Sequence, residues 1–69
     1  MTYYDRDSDI AYFEISDARV DHSSEHDWGL LDVDAVGNVV GAEYWNVSRR
    51  LPPEPLAALP APAALAHPA

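Results

Sequence analysis

Three aspartates at alternate positions near the start of the chain have the spacing of cation ligands. Asp5-x-Asp7-x-Asp9 matches the first three ligand positions of a calcium-binding loop. Such a loop needs a glycine at its sixth position and a bidentate glutamate at its twelfth, and these positions hold Ile10 and Ser16. The pattern therefore predicts a turn of solvated carboxylates and not a calcium site.

A second candidate for metal chemistry is His22-Ser-Ser-Glu-His26, which has the His-x-x-Glu-His order of inverted zinc proteases. That chemistry requires both histidines on one face of a helix and a third protein ligand from elsewhere. The polar composition of residues 22–26 instead predicts a solvated connection between strands. His22 and His26 remain weak candidates for loose metal capture or for a response to pH, and we expect no catalytic metal and no cofactor.

Nucleophilic catalysis has little support. The chain has no cysteine, and neither Ser23 nor Ser24 lies in a glycine-flanked elbow. Twelve acidic residues against four arginines give a net charge of −8, which argues against nucleic acid and anionic membranes as partners. Arg49-Arg50 is the one basic pair, and it could bind an acidic strip on another protein. We therefore expect a protein that is not an enzyme.

The prolines divide the chain into two parts. All six lie at or beyond Pro52, which predicts a body over residues 1–51 and a Pro/Ala-rich tail over residues 52–69. Proline lacks an N–H group and has a fixed φ, so the tail cannot form strands or a long helix. A semi-extended tail is one interpretation. The other is a helical turn near residues 54–59, with three leucines docking on the body or on a partner: Leu56, Leu59 and Leu65.

Alternation at period two in the body predicts an all-β fold, a small antiparallel five-stranded meander. The predicted strands are residues 2–4, 10–15, 18–21, 28–34 and 39–45. Gly37 suits the turn of a hairpin before the last strand. Residues 46–51 could form one short helical turn that Asn46 caps.

Several predicted strands carry apolar residues on both sides. One set would form the core, and the second set is Ile10, Tyr12, Leu30, Val39 and Trp45. A single sheet without a second layer leaves one of these faces exposed, and exposed apolar patches mark contact sites. The tail, a second copy of the chain or a different protein could cover the second set, so we predict these residues as an interaction surface.

Several segments together resemble a known family. These segments are Tyr4-Asp5, Asp9-Ile-Ala-Tyr-Phe-Glu-Ile-Ser-Asp17, Leu30-Leu-Asp-Val-Asp34, Gly37-Asn-Val-Val-Gly41, Ala42-Glu-Tyr44 and Val47-Ser-Arg-Arg-Leu51. In this order they resemble the prokaryotic domain of unknown function 2283 over about residues 3–51. The resemblance implies a small β-sheet protein without an established activity. Some relatives resemble partners of small toxin-like proteins.

These observations favour a non-catalytic, acidic protein-interaction module, an antitoxin-like partner of a basic protein. One alternative is a self-associating β protein, such as a homodimer. The other alternative is a metal-dependent activity. The first residues lack a basic stretch followed by an apolar run, so we expect a cytoplasmic protein.

Overall fold

The computed structural model describes residues 1–62 and contains one five-stranded antiparallel sheet. The strands are β1 (Tyr3–Asp5), β2 (Ile10–Glu14), β3 (His22–His26), β4 (Gly29–Val33) and β5 (Val39–Trp45). A 3-10 helix (Val47–Arg49) and one short helix, α1 (Pro53–Ala58), follow the sheet. The predicted all-β antiparallel fold with a short C-terminal helical segment is confirmed.

The spatial order of the strands is β1-β2-β5-β4-β3. The hairpin β1-β2 and the meander β3-β4-β5 are joined where β2 pairs with β5. The connection from β2 to β3 therefore crosses the ends of two strands. The N–H of Ile15 donates to the carbonyl of Val40 (2.8 Å) near the start of β5, and the N–H of Asp21 donates to the carbonyl of Val33 (2.8 Å) at the end of β4.

The position of β3 corrects the sequence prediction. The predicted strand over residues 18–21 is absent, and residues 22–26, predicted as a polar connection, form β3 instead. All five residues of β3 pair with β4 in an unbroken register. Because β3 lies at the edge of the sheet and four of its residues are exposed, it needs no apolar face. Main-chain pairing with β4 therefore outweighs the low strand propensity of its residues.

The turn between β3 and β4 depends on Gly29. This residue has φ +151°, and an added Cβ would overlap the carbonyl oxygen of Glu43. Gly29 also pairs with Tyr44 of β5. Glycine at this position therefore lets β4 approach β5 closely as it leaves the turn.

The hairpin between β4 and β5 is closed by Asp34. Its carboxylate accepts hydrogen bonds from the N–H groups of Val36 and Asn38, both at 2.9 Å. The bonds from the Asn38 and Val36 amides hold the pKa of Asp34 below its ordinary value. The predicted role of Gly37 in this turn agrees with its φ of +97°.

The core lies on one side of the sheet, where buried Tyr4 and Ala11 meet Val47 and Leu56. The N–H of Tyr4 donates to the carbonyl of Pro60 at 2.8 Å, which ties the segment after α1 to the outer edge of β1. Leu56 is only 4% exposed. The structure thus supports docking of the tail on the body up to Pro60, and Leu65 lies outside the described residues.

The predicted helical turn after β5 is present as the 3-10 helix, but its capping differs from the prediction. Asn46 has φ 52° and makes no side-chain cap hydrogen bond. Asp9 supplies the cap instead: its carboxylate accepts from the N–H of Ser48 (3.0 Å) and from the Ser48 hydroxyl (2.6 Å). The left-handed backbone of Asn46 turns the chain back over the core side, which brings Ser48 to this carboxylate.

Among the helices of residues 1–62, none combines the length and the apolar character that crossing a membrane requires.

Candidate protein-binding face

Strand register determines which residues lie on the side of the sheet opposite the core. Directly paired residues lie on the same side, and successive residues alternate. Tyr4 and Ala11 face the core, so their neighbours Tyr3, Ile10 and Tyr12 lie on the opposite side. Strand pairing extends this side to Glu43 of β5, then to Leu30 of β4, and then to β3. We call this side the acidic face; it comprises Tyr3, Asp5, Ile10, Tyr12, Glu14, Ser23, Glu25, Leu30, Asp32, Gly41, Glu43 and Trp45.

The acidic face is named for its five carboxylates: Asp5, Glu14, Glu25, Asp32 and Glu43. None of the five strands contains an arginine or a lysine. The amino group of Met1 contacts Glu14 at the rim of the face. Negative charge is therefore concentrated on one side of the sheet.

Aromatic side chains occupy the centre of the acidic face. Tyr3 and Tyr12 stack with their ring centroids 5.9 Å apart and their planes 21° apart. The Tyr12 ring lies over Gly41, where an added Cβ would overlap the Tyr12 hydroxyl. That hydroxyl donates to Asp32 of β4 at 2.9 Å. The glycine thus lets Tyr12 reach across β5 to a strand that its own strand does not touch.

Burial and nearby carboxylates on the acidic face raise the pKa values of its two tyrosines. Burial, followed by the hydrogen bond to Asp32, raises the pKa of Tyr12 from 10.0 to about 12. Burial and the charges of Glu43 and Asp5 raise the pKa of Tyr3. Both hydroxyls therefore stay protonated well above neutral pH, and Tyr12 remains a hydrogen-bond donor to Asp32.

A second polar link holds an aromatic ring on the acidic face. The indole N–H of Trp45 donates to Glu43 at 2.9 Å. Ser23 of β3 donates its hydroxyl to Asp32, which also accepts from Tyr12. The carboxylates of Asp32 and Glu43 thus fix rings and hydroxyls in place and still carry their charge.

Four of the five residues predicted as the apolar interaction surface lie together on this face. Ile10 pairs directly with Trp45, and Tyr12 and Leu30 flank Glu43 on either side. All four are half-buried, although both described helices lie on the core side. Val39 lies apart from them, at the start of β5 beside an irregular pairing with β4, and is 37% exposed.

The two arginines predicted to bind a partner lie on the other side of the molecule. Arg49 ends the 3-10 helix, close enough to Asp9 for its charge to help lower the pKa of that carboxyl, after the larger effect of the Ser48 hydroxyl. Arg50 borders a half-open apolar groove of about 480 Å³ on the core side. The groove is lined by Phe13, Ile15, Ala42, Tyr44, Val47, Arg50 and Leu51.

The histidines of the zinc-like motif lie on a strand and not on a helix. His22 and His26 are four steps apart along the strand, which separates them by ~13 Å, too far for both to bind one ion. His22 Nδ1 is 2.8 Å from the carboxylate of Asp21, and the His26 ring stacks on Trp28 at 5.0 Å. Within residues 1–62, no group of three or more potential ligands could hold a metal ion.

Ser24 and His26 are in contact, with Oγ and Nε2 3.0 Å apart. A catalytic serine also needs a group that orients the histidine and an oxyanion pocket. This pair lies on the edge strand beside solvent, where His26 is exposed. The contact fits a surface hydrogen bond along the strand.

Sequence reasoning missed several residues of the acidic face, namely Tyr3, Asp32 and Glu43. Each occurs in or next to a predicted strand, but the sequence alone does not say which strands are neighbours. Two sequence patterns could have indicated these residues. Leu30 and Asp32 are two positions apart on one predicted strand, and Glu43 and Trp45 are two positions apart on another. They place acids on the same side as the apolar set once β5 is known to lie between β2 and β4.

Comparison with known protein families identifies a match. The model of a family described as a protein of unknown function, DUF2283, matches residues 1–48. Comparisons with curated proteins and with solved structures found no similar protein. The match covers all five strands and agrees with the resemblance in the sequence. The chain therefore belongs to the DUF2283 family.

Proposed function

We propose that this protein is a non-catalytic binding module whose acidic face takes a basic segment of another protein. The observation that carries the proposal is the separation of charge: five carboxylates share a face with three aromatic rings, on strands without arginine or lysine. An antitoxin-like pairing with a basic protein would be one instance of this function.

The chemistry of the acidic face suits arginine and lysine side chains. A guanidinium or ammonium group can lie over a tyrosine or tryptophan ring and pair with a carboxylate beside that ring. Trp45 with Glu43, and Tyr12 with Asp32, supply two such combinations. The net charge of −8 would also steer a basic partner towards the protein over distances of about a Debye length.

The hydrogen bonds on the face support binding because they reduce its entropic cost. Tyr12 is held by Asp32, Trp45 is held by Glu43, and Tyr3 stacks on Tyr12. Side chains that are already fixed lose little rotamer freedom when a partner docks. The half-buried Ile10 and Leu30 add apolar area between the charged groups.

A synthetic peptide of alternating arginine and serine residues is a direct probe of this proposal. Trp45 lies on the acidic face, whereas Trp28 stacks on Tyr44 of the core side at 4.8 Å. In a Trp28→Phe background, tryptophan fluorescence would therefore report peptide binding at the face. We expect Glu43→Gln to weaken binding about two- to fivefold, the value of one exposed charge pair.

The matched control is Glu54→Gln, which removes the same charge from the exposed surface of α1 on the core side. We expect E54Q to bind the peptide as the parent does, and we expect added salt to weaken binding to both proteins. Equal losses in E43Q and E54Q, or binding that salt leaves unchanged, would contradict a specific acidic face.

A further inference from the structure

The two edges of the sheet differ in whether another segment of the chain forms hydrogen bonds with them. At the β1 edge, the N–H of Tyr4 is occupied by the carbonyl of Pro60. At the β3 edge, the main-chain hydrogen bonds of His22–His26 within residues 1–62 run only to β4. Every second residue of an edge strand directs its N–H and C=O groups away from the sheet. These outward groups of β3 are open to another strand.

Edge strands of soluble proteins usually carry a feature that blocks pairing with another chain, such as a proline, a charged side chain (above all lysine), a bulge or a very short length. β3 has five residues, no proline or lysine, and an unbroken register with β4. Its one acidic side chain is Glu25. Its exposed edge is therefore competent for pairing in a register that keeps Glu25 away from another acid. The remaining question is which strand pairs with it.

We propose that β3 pairs antiparallel with β3 of a second copy of the chain, around a twofold axis at Ser24. The order His22-Ser-Ser-Glu-His26 has histidine at both ends and serine at its centre. In this register Ser24 faces Ser24 of the second copy, Ser23 faces Glu25, and His22 faces His26. No two carboxylates face each other within the strand pair.

Neighbouring registers pair fewer residues of β3, and one of them places like charges opposite each other within the strand. A twofold axis perpendicular to the sheet can pair only residues that lie on the same side of the sheet. The neighbouring registers therefore have their axis at Ser23 or at Glu25. An axis at Ser23 or at Glu25 pairs only three residues of β3 instead of all five, and the axis at Glu25 also places the two Glu25 side chains opposite each other. Like charges directly opposite each other destabilise a strand pair. With the axis at Ser24, Asp21 and Asp27 are opposite each other only beyond the ends of β3, where both are exposed.

This pairing would join the two sheets into one of ten strands. Since the twofold axis is perpendicular to the sheet, both acidic faces lie on the same side of the dimer. A dimer would therefore offer two copies of the acidic face to one partner. The pairing itself does not depend on what the acidic face binds.

Sedimentation equilibrium of the untagged protein tests the proposal, in buffer with EDTA so that the histidines cannot associate through metal. We expect a concentration-dependent species of twice the 7.6 kDa chain mass. Ser24→Lys and Ser24→Glu each place like charges opposite each other at the axis. We expect each to raise the dimer Kd about fivefold at low salt. An equimolar mixture of S24K and S24E should recover association, because opposite charges then meet.

Ser23→Lys is the matched control, since its lysine would face Glu25 of the second copy. We expect S23K to dimerise at least as well as the parent protein. A parent protein that stays monomeric at millimolar concentration would overturn the proposal. A Kd for S23K raised as much as that for S24K, or an S24K and S24E mixture no more associated than either alone, would also overturn it.

Discussion

Replacing Leu56 with alanine tests whether the Pro/Ala-rich tail is part of the folded core. Leu56 is 4% exposed and packs with Tyr4, Ala11 and Val47. Removing a buried leucine side chain costs about 2–5 kcal/mol, and the cost falls where the site can collapse. α1 has only six residues, so it can shift into the space left behind. We therefore expect L56A to lower the free energy of unfolding by about 2–3 kcal/mol.

That loss is large for a chain of this length. A domain of 69 residues has a total stability of roughly 3–10 kcal/mol. At about 4–8 °C per kcal/mol, L56A should lower Tm by about 10–20 °C. Thermal unfolding followed by circular dichroism, with urea unfolding at a fixed temperature, measures both quantities. The urea midpoint should fall in L56A without a change in the slope of the transition.

The control for this experiment is Val36→Ala, a truncation at a side chain that is 84% exposed. We expect V36A to change the free energy of unfolding by less than about 0.5 kcal/mol. If L56A were as stable as V36A, the β body would be folded without the tail. The placement of α1 in the core would then be wrong.

Two further predictions concern titrating groups that hold the sheet together. Asp32→Asn should lower the pKa of Tyr12 from about 12, since the charged acceptor is lost, while burial, the largest cause of the raised value, and the charge of Glu43 keep it above 10.0. Ultraviolet titration of tyrosine ionisation measures this, and an unchanged titration curve would show that Tyr12 does not contact Asp32. The pKa of Asp9 is lowered, first by the Ser48 hydroxyl. The stability from this carboxylate is therefore present above the ordinary aspartate pKa of 3.8 and is lost as the pH falls through the lowered value. Asp9→Asn should be less stable than the parent at neutral pH, with a difference that shrinks in acid; urea midpoints that differ equally at both pH values would refute this.

Much of the sheet follows from local pattern. The strand over residues 39–45 was predicted with the bounds that the structure has, because apolar Val40, Ala42 and Tyr44 recur at every second position between two turn segments. The turn at Gly37 follows from its need for a positive φ. Alternation also puts Ile10 and Tyr12 on one side of β2, since a period of two puts every second residue of a strand on the same side.

Other features depend on which strands become neighbours, and no local pattern carries that information. β3 has the composition of a loop and is a strand only because β4 offers it a partner. The cap of the 3-10 helix comes from Asp9, which is 39 residues away from Ser48 in the chain.

The sequence by itself determined the fold class, the family and the excess of negative charge, because alternation, turn residues and composition are local or additive properties. Only the tertiary structure decided that the charge and the aromatic rings share one face. That outcome depends on the placement of β5 between β2 and β4, which lets Tyr12 cross Gly41 to Asp32. Tertiary packing also decided that Leu56 of the tail completes the core, since a small sheet gains stability from any apolar group that can cover its buried side.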